Sequence, residues 1–318
     1  MNKMKLIRIF AANRLWSHRK TLLTRVRRLL WAAALLLPAF AAQADVVFTN
    51  LYSFQPFPNG ESPAGLIQGS DGYFYGTTSQ GGANNAGTVF KISTNGMLTS
   101  LYSFTGRNDG ANPYGLVQGT DGYFYGTTSQ GGANNAGTVF KLSTNGTLTT
   151  LYSFANDGGY LGGHSGLVQG TDGCFYGTTE AGGTNGVGSV FKITSNGALT
   201  SLYSFTGGND GYLVVAGLVQ GSDGYFYGTT EWGGTYDGGT IFKISRNGTL
   251  TSLHSFTGGN EGLDPISALV EGNDGFFYGT TEGGGSNSRG TVFKITHYCP
   301  GKGRGECGNN QCLLASDA

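Results

Sequence analysis

Short apolar runs alternate with glycine-rich polar turns along most of the chain after residue 45. Each unit contains four such runs, typified by GLVQG, YFYGTT, GTVFKI and TLTSLYSF, which are rich in β-branched and aromatic residues. An Asp-Gly pair separates the first two runs and an Asn-Gly pair the last two, and both dipeptides tolerate the positive φ of tight antiparallel turns. Because no helical periodicity follows Asp45, the pattern predicts an all-β chain built from hairpins.

The pattern repeats with a period of 50 or 51 residues. The units are marked by the phrase LYSF or LHSF, which begins at Leu51, Leu101, Leu151, Leu202 and Leu253. Residues 71–91 and 121–141 are identical to each other. Four antiparallel strands in about 50 residues is the size of a propeller blade. A parallel β-helix is the competing repeat architecture, but two hairpin turns in every unit argue against parallel coils.

The two ends of the repeat region complement each other. Val46 to Phe54 reads as a fourth strand without its three predecessors, and Gly290 to Thr296 reads as a third strand with no fourth strand after it. If the first of these segments completes the last unit, the ring closes and two exposed edges disappear. The sequence therefore predicts a five-bladed β-propeller of four-stranded antiparallel blades over residues 45–296, closed by the N-terminal strand completing the C-terminal blade.

Residues 1–44 differ from the rest of the chain. They hold nine of the 19 Lys and Arg residues and no acid, followed by an apolar run from Leu29 to Ala42 and the small-x-small sequence Ala42-Gln43-Ala44. This order is typical of a secretory signal peptide. A membrane anchor is the alternative, but roughly 14 apolar residues fall short of the ~20 that span a bilayer. We expect export, with cleavage near Asp45, to the cell surface, the periplasm or the medium.

Removal of that segment leaves ten basic residues against 19 acidic ones, a formal net charge of −9. A chain of this sign lacks the basic surface that binds phosphate backbones, so nucleic acid is excluded as a partner. No membrane partner is expected after cleavage. Residues 297–318 form an irregular tail with three of the four cysteines, Cys299, Cys307 and Cys312.

The combination of LYSF, an Asp-Gly turn, FYGTT, a Gly-Gly loop and GTVFK in a period near 50 resembles the GloVer tandem-repeat family of exported bacterial proteins. The resemblance covers all five units. It implies an extracellular or cell-surface repeat protein with a propeller fold, and it implies no reaction. Such proteins often end in an anchoring segment, which the tail of this chain does not resemble, so simple secretion is favoured.

The loops between the second and third runs vary most and are where binding is expected on a rigid ring. Their candidate ligand-binding residues are Glu180, Glu231, Trp232, Tyr236, Asp237 and Glu282. An exposed Trp flanked by Asn, Asp and Glu is a surface that stacks on sugar rings, which makes carbohydrate a candidate ligand, although single exposed aromatic residues are common on protein surfaces. The three glutamates occupy equivalent places on successive blades, which predicts a peripheral position without convergence on the axis.

Two further polar sets recur with the repeat. One would form a ring at the central channel that binds water or a small polar ligand, or that only satisfies the ends of the inner strands: Gln68, Gln118, Gln169, Gln220 and Glu271. The other lies in the NDG-type loops between units, whose oxygens suit Ca²⁺, although turn formation is favoured. The Asp of each Asp-Gly pair is interpreted as a turn former.

No catalytic or metal-ligating residue is assigned. His164, His254 and His297 fall in different phases of the repeat, and no Ser or Cys lies in a nucleophile motif. The tail cysteines contain no C-x-x-C pair, which argues against zinc. Near-identical units favour a binding or interaction scaffold for carbohydrate or a surface protein. The alternatives are a propeller-type glycoside hydrolase using the loop carboxylates and a purely structural envelope or matrix protein.

Overall fold

The computed structural model describes residues 47–155 and 166–296. Over these residues the protein has five antiparallel sheets and one short 3₁₀ turn, Gly259–Glu261. The all-β prediction is confirmed. The predicted signal peptide, the tail and the inter-unit loop at residues 156–165 lie outside the described residues.

Each of the first four sheets contains four consecutive strands, and the fifth contains three. Sheets 1 and 2 comprise β1 (Glu61–Gln68), β2 (Phe74–Gln80), β3 (Thr88–Ile92), β4 (Leu98–Ser103), β5 (Ala111–Gln118), β6 (Phe124–Gln130), β7 (Thr138–Leu142) and β8 (Leu148–Ser153). Sheets 3 and 4 comprise β9 (Val168–Gln169), β10 (Phe175–Thr179), β11 (Ser189–Ile193), β12 (Leu199–Ser204), β13 (Val219–Gln220), β14 (Phe226–Thr230), β15 (Thr240–Ile244) and β16 (Leu250–Ser255). Sheet 5 comprises β17 (Val270–Glu271), β18 (Phe277–Thr281) and β19 (Thr291–Ile295).

The Asp-Gly turns form as the sequence predicts, and their carboxylates also tie the strands together. Asp121 Oδ1 accepts from the Tyr123 amide at 3.2 Å, while Oδ2 accepts from the Tyr125 hydroxyl at 2.7 Å and from Lys141 Nζ at 2.9 Å. Burial acts to raise the pKa of Asp121, but the Lys141 and Tyr125 bonds lower it overall. The turn Asp is thus both a turn former and the centre of a cross-strand network.

The hydrophobic core lies between successive sheets. The Tyr of each second strand stacks on a Phe of the next sheet, with ring centroids 3.9–4.0 Å apart and interplanar angles of 26–29°, in the pairs Tyr75–Phe124, Tyr125–Phe175, Tyr176–Phe226 and Tyr227–Phe277. We call the face that carries the Tyr the forward face and the face that carries the Phe the rear face. A forward face packed on a rear face buries both, which explains why these strands read as continuous apolar runs.

The glycine of YFYG faces its own sheet. A Cβ at Gly228 would lie 2.7 Å from Phe242 Cζ and 2.9 Å from Leu218 Cδ2, both in sheet 4. Gly228 pairs directly with Phe242 across β14 and β15, so the Phe ring lies over the space that a side chain would fill. The close approach at this glycine therefore comes from the partner strand of the same sheet and not from a neighbouring sheet.

The predicted ring closure is not formed. Residues 47–54 form no strand, and within the described part of the chain the outer edge of β19 has no partner strand. The Phe54 ring nevertheless packs on Phe90 at 5.0 Å, as Phe104 packs on Phe140 at 5.3 Å. Phe54 therefore packs against sheet 1, but its segment does not complete sheet 5 as predicted. Each sheet packs on the next along the chain, from sheet 1 to sheet 5. Sheets 1 and 5 each retain an uncovered face, so they do not pack on each other.

Candidate functional site

Buried hydroxyl pairs fix the loop that follows each second strand. In sheet 4, Thr230 Oγ1 accepts from the Thr240 amide at 3.0 Å and donates to the Trp232 carbonyl at 3.0 Å. Thr240 Oγ1 in turn donates to the Asp210 carbonyl in the preceding loop at 3.3 Å. Thr230 and Thr240 are fully buried. The loop that carries Trp232 is therefore held to both its own sheet and the neighbouring inter-unit loop.

Trp232 is presented by a rigid backbone. Its amide and carbonyl exchange hydrogen bonds with those of Tyr212 at 3.2 and 2.8 Å, and the two rings meet edge to face with centroids 5.8 Å apart. Trp232 is 41 % exposed and Tyr236 is 62 % exposed. The structure thus leaves both predicted aromatic residues exposed and pairs Trp232 with Tyr212, which sequence reasoning missed because it lies in a different inter-strand segment.

The loop carboxylates interact electrostatically. Burial raises the pKa of Glu231, and the charges of Asp264, Glu180 and Glu282 raise it further. Burial likewise raises the pKa of Asp264, with the charges of Glu282 and Asp237 adding to it. The peripheral position of the three glutamates stays a prediction, but the charges of Glu180 and Glu282 act on Glu231. They form an acidic group on sheets 3–5, which we call the acidic cluster (Glu180, Glu231, Asp264 and Glu282).

Asp264 joins this cluster through an unusual backbone conformation. Its φ is +57°, and the equivalent positions in other sheets, Ser62, Asn112 and Leu213, have φ between +53° and +55°. Its carbonyl accepts from the Glu282 amide at 3.0 Å. The two acidic residues are therefore neighbours, next to the isolated antiparallel bridge between Leu263 and Gly283. Asp264 lies two residues after Gly262, the glycine of its inter-unit loop, as Leu213 lies two residues after Gly211. This equivalence is visible only when the sheets are compared, so the sequence alone did not mark Asp264 as a site residue.

Asp237 is partly committed to its own loop. Its Oδ1 accepts from the Gly233 amide at 3.0 Å, as Asn85 Oδ1 does from Gly81 at 3.0 Å and Asn135 Oδ1 from Gly131 at 2.9 Å. Asp237 also has a φ of +57°. The Tyr212 hydroxyl lies 3.5 Å from the same oxygen. Asp237 therefore shapes the loop and adds negative charge beside the two aromatic rings.

The inter-unit acids are occupied by local hydrogen bonds. Asp210 Oδ2 accepts from the Tyr203 hydroxyl and the Thr206 amide, both at 2.8 Å. Burial acts to raise the pKa of Asp210, but the bonds from Thr206 and Tyr203 lower it overall. In sheet 4 the same pairing is made by His254 Nε2 and Glu261 Oε2 at 3.5 Å. These contacts are those of a turn. Within residues 47–155 and 166–296, no three His, Cys, Asp or Glu side chains lie close enough to hold a metal ion.

The predicted channel residues bridge neighbouring sheets. Gln118 Oε1 accepts from the Ser70 amide at 2.9 Å, and Gln169 Oε1 accepts from the Thr120 amide at 3.0 Å. Gln220 repeats the contact with Thr171, and Glu271 accepts from Ser222. Gln68, which begins the series, is exposed in sheet 1. Each side chain in the second to fifth sheets thus links its strand to the turn of the preceding sheet.

The repeat pattern matches a known family model. The Gloeobacter/Verrucomicrobia repeat matches residues 39–220 and 160–301, two overlapping stretches that together include every described sheet. The chain belongs to this family. The resemblance predicted from the LYSF, FYGTT and GTVFK phrases is therefore confirmed. None of the curated proteins matches the sequence.

Solved structures resemble this member of the Gloeobacter/Verrucomicrobia repeat family in fold alone, since all identities are below 25 %. The extracellular domain of a protein named as a hybrid two component system, from B. thetaiotaomicron, has a TM-score of 0.51 and 13 % identity, covering 78 % of this chain and 30 % of that one. A gluconolactonase from Xanthomonas campestris has a TM-score of 0.45 and 15 % identity, covering 72 % and 70 %. The PQQ-bound aldose sugar dehydrogenase from Streptomyces coelicolor has a TM-score of 0.46 and 16 % identity, covering 81 % and 83 %.

These comparisons, together with the five repeated sheets, show a β-propeller-like repeat protein. No helix in the described ranges is both long and apolar enough to cross a membrane.

Proposed function

We propose that this repeat protein is an exported binding scaffold whose ligand is a carbohydrate. The observation that supports this is the pairing of exposed Trp232 with Tyr212 on a backbone fixed by reciprocal hydrogen bonds. A rigid aromatic face loses little conformational freedom when it contacts a ligand. The apolar C–H face of a pyranose stacks on such a ring without any change in the scaffold.

The polar groups around the aromatic pair suit the hydroxyls of a sugar. Asp237 lies beside Tyr212, and Glu231 directly precedes Trp232 in the chain. Binding sites usually combine apolar contact area with a few convergent polar groups that fix orientation. Carboxylate oxygens accept hydrogen bonds from sugar hydroxyls, and the acidic cluster favours neutral or amino sugars over uronic acids because like charges repel. Export, from the composition of residues 1–44, would bring the protein to extracellular glycans.

Replacing Trp232 by alanine is expected to weaken glycan binding at least about tenfold, because truncating a central Trp in an interface typically costs about 2 kcal/mol or more. A glycan array screened with residues 45–318 would identify the ligand, and titration calorimetry would measure the affinity of each variant. The matched control is Gln130→Ala, which changes the equivalent exposed position of sheet 2 without removing an aromatic ring.

Equal loss in both variants would point to a general effect on the loops and contradict a stacking site at Trp232. An array with no bound glycan would overturn the carbohydrate proposal. A surface protein or a purely structural role would then be the leading account.

Glycoside hydrolysis is the second candidate, and the raised pKa of Glu231 beside other carboxyls favours it. Retaining and inverting glycosidases use one carboxyl that remains protonated as the acid and a second that is ionised. Burial and the charges of Asp264, Glu180 and Glu282 push Glu231 toward the protonated form. Glu231 would donate a proton to the leaving oxygen, and an ionised neighbour would act as base or nucleophile.

Under this alternative, Glu231→Gln should lower turnover of the bound glycan on the order of 10²–10⁴-fold, the usual contribution of a general acid. The measurement is release of reducing ends, with the binding affinity of the same variant as control. Glu231→Gln should fold normally at neutral pH, because the folded state disfavours the charge that it removes. Binding without release of reducing ends by the unaltered protein would exclude hydrolysis and leave the binding scaffold.

A further inference from the structure

The forward face of sheet 5 is uncovered, although it has the residues that bury this face in the other sheets. Val292 in β19 is 80 % exposed, whereas Val89, Val139 and Val190 are fully buried at the equivalent positions. Val270 in β17 is 64 % exposed. Tyr278 is half-buried, while the equivalent Tyr residues of sheets 1–4 are at most 1 % exposed. Sheet 5 therefore presents one complete half of a sheet-to-sheet interface.

The rear face of sheet 1 presents the other half. Leu66 is 53 % exposed, whereas the equivalent Leu116 and Leu269 are 9 % and 3 % exposed. Phe74 is half-buried, while the Phe residues at its position in the other sheets stack on the Tyr of the preceding sheet and are at most 2 % exposed. Phe54 covers Phe90 at the outer part of this face, so the uncovered part is the inner half.

We propose that these two faces join different copies of the chain head to tail, with sheet 5 of one copy packed on sheet 1 of a second copy. The contact would repeat the interface that the chain already forms four times between its own sheets. Tyr278 of the first copy would stack on Phe74 of the second, and Val292 and Val270 would cover its Leu66. Association of this kind would bury apolar side chains that each copy leaves exposed.

The N-terminal segment strengthens the proposed contact. Residues 50–54 lie against sheet 1 in the place that the fourth strand of a preceding sheet takes: the Tyr52 and Phe54 rings meet at 5.2 Å, as Tyr102 and Phe104 do at 5.2 Å. Docking of sheet 1 on sheet 5 would bring this segment beside β19. It would then supply the missing fourth strand and pair the open edge of the partner's sheet.

A second copy fits better than the chain's own first sheet. The four Tyr–Phe stacks agree within 0.1 Å in the distance between ring centroids and within 3° in the angle between ring planes. Each sheet therefore packs on the next in nearly the same way. Bringing sheet 5 of one chain onto its own sheet 1 would require sheets that are already close-packed to move relative to one another, and packed interiors resist such changes. A second copy would supply the missing partner of each face while the packing within each chain stays as it is.

The experiment is light scattering coupled to size exclusion, over a range of concentrations, on residues 45–318. We expect a mass of at least twice that of one chain, and a shift to the single-chain mass in Val292→Lys and in Leu66→Glu. The control Tyr123→Gln alters another exposed apolar residue, 41 % exposed beside the second strand of sheet 2, and should leave the mass unchanged because sheet 2 is covered on both sides by its own chain. All three positions are exposed, so the circular dichroism spectrum of each variant should match that of the unaltered chain and show that its fold is intact.

Mixing the two interface variants distinguishes a head-to-tail contact from other kinds of association. The Val292→Lys chain keeps an intact sheet 1, and the Leu66→Glu chain keeps an intact sheet 5, so the mixture should form a one-to-one complex. The chain with both substitutions should form none. A single-chain mass for the unaltered protein at every concentration overturns the proposal. Protection of the β19 amides from hydrogen exchange in that single chain would show that it covers its own faces.

Discussion

Phe226→Ala should lower the free energy of unfolding by about 3–5 kcal/mol, the range for truncating a buried Phe. Phe226 is fully buried between sheets 3 and 4 and stacks on Tyr176 with centroids 3.9 Å apart. Its removal takes away the transfer free energy of the ring and leaves a cavity that two rigid sheets cannot close. Chemical denaturation monitored by fluorescence or circular dichroism measures the change.

The matched control is Phe74→Ala, the same residue type at the same place in sheet 1. Phe74 is half-buried and no preceding sheet of its own chain supplies a Tyr to stack on it. Its truncation should therefore cost markedly less when measured on the single chain, for example in the Val292→Lys background. Equal losses at the two positions would mean that the sheet-to-sheet stack contributes little beyond burial within one sheet, contrary to our account of the core.

Thr230→Val should destabilise the protein by roughly 1–3 kcal/mol, because the buried Thr240 amide loses its acceptor. The Trp232 carbonyl loses the Thr230 hydroxyl as a donor but keeps the Tyr212 amide. Valine has nearly the shape of threonine, so the change isolates the hydroxyl. The same denaturation experiment measures stability, and the glycan titration measures whether Trp232 keeps its position.

Thr251→Val is the control for this second substitution, since Thr251 is exposed on β16 of the same sheet. It should change stability by less than about 0.5 kcal/mol, as surface substitutions usually do. If Thr230→Val were equally mild, the hydroxyl pair would not be what holds the loop to the sheet. If stability fell while glycan affinity stayed constant, the loop would be positioned by the Tyr212 pairing alone.

Much of the strand arrangement could be predicted from residues 45–296 because its determinants are local. Asp-Gly and Asn-Gly turns, β-branched runs and a fixed period act within a few residues of one another. The order of strands in each sheet follows from them, as the antiparallel pairs of β5 to β8 illustrate. The reason for the glycine of YFYG could not be predicted in this way, because it is a ring on the partner strand, Phe242 over Gly228, and single-strand patterns do not reveal cross-strand contacts.

The candidate site was predictable only in its aromatic part. Trp232 and Tyr236 depart from the repeat consensus, and departures within near-identical units stand out in a sequence. Tyr212 and Asp264 do not stand out in this way, because they lie in inter-unit segments whose lengths and residues vary. The mutual charge effect of Glu180, Glu231 and Glu282 was also missed, since their spacing of 51 residues along the chain conceals their proximity in space.

The sequence by itself determined the all-β class, the repeat, the hairpin turns and the family, because each rests on residue types and spacings that act locally. Tertiary structure decided whether the ends meet. That outcome depends on how successive sheets pack on one another, through long-range contacts such as the Tyr–Phe stacks, and no local pattern records it. The exposed Val292 and Leu66 show that sheets 5 and 1 each retain an uncovered face.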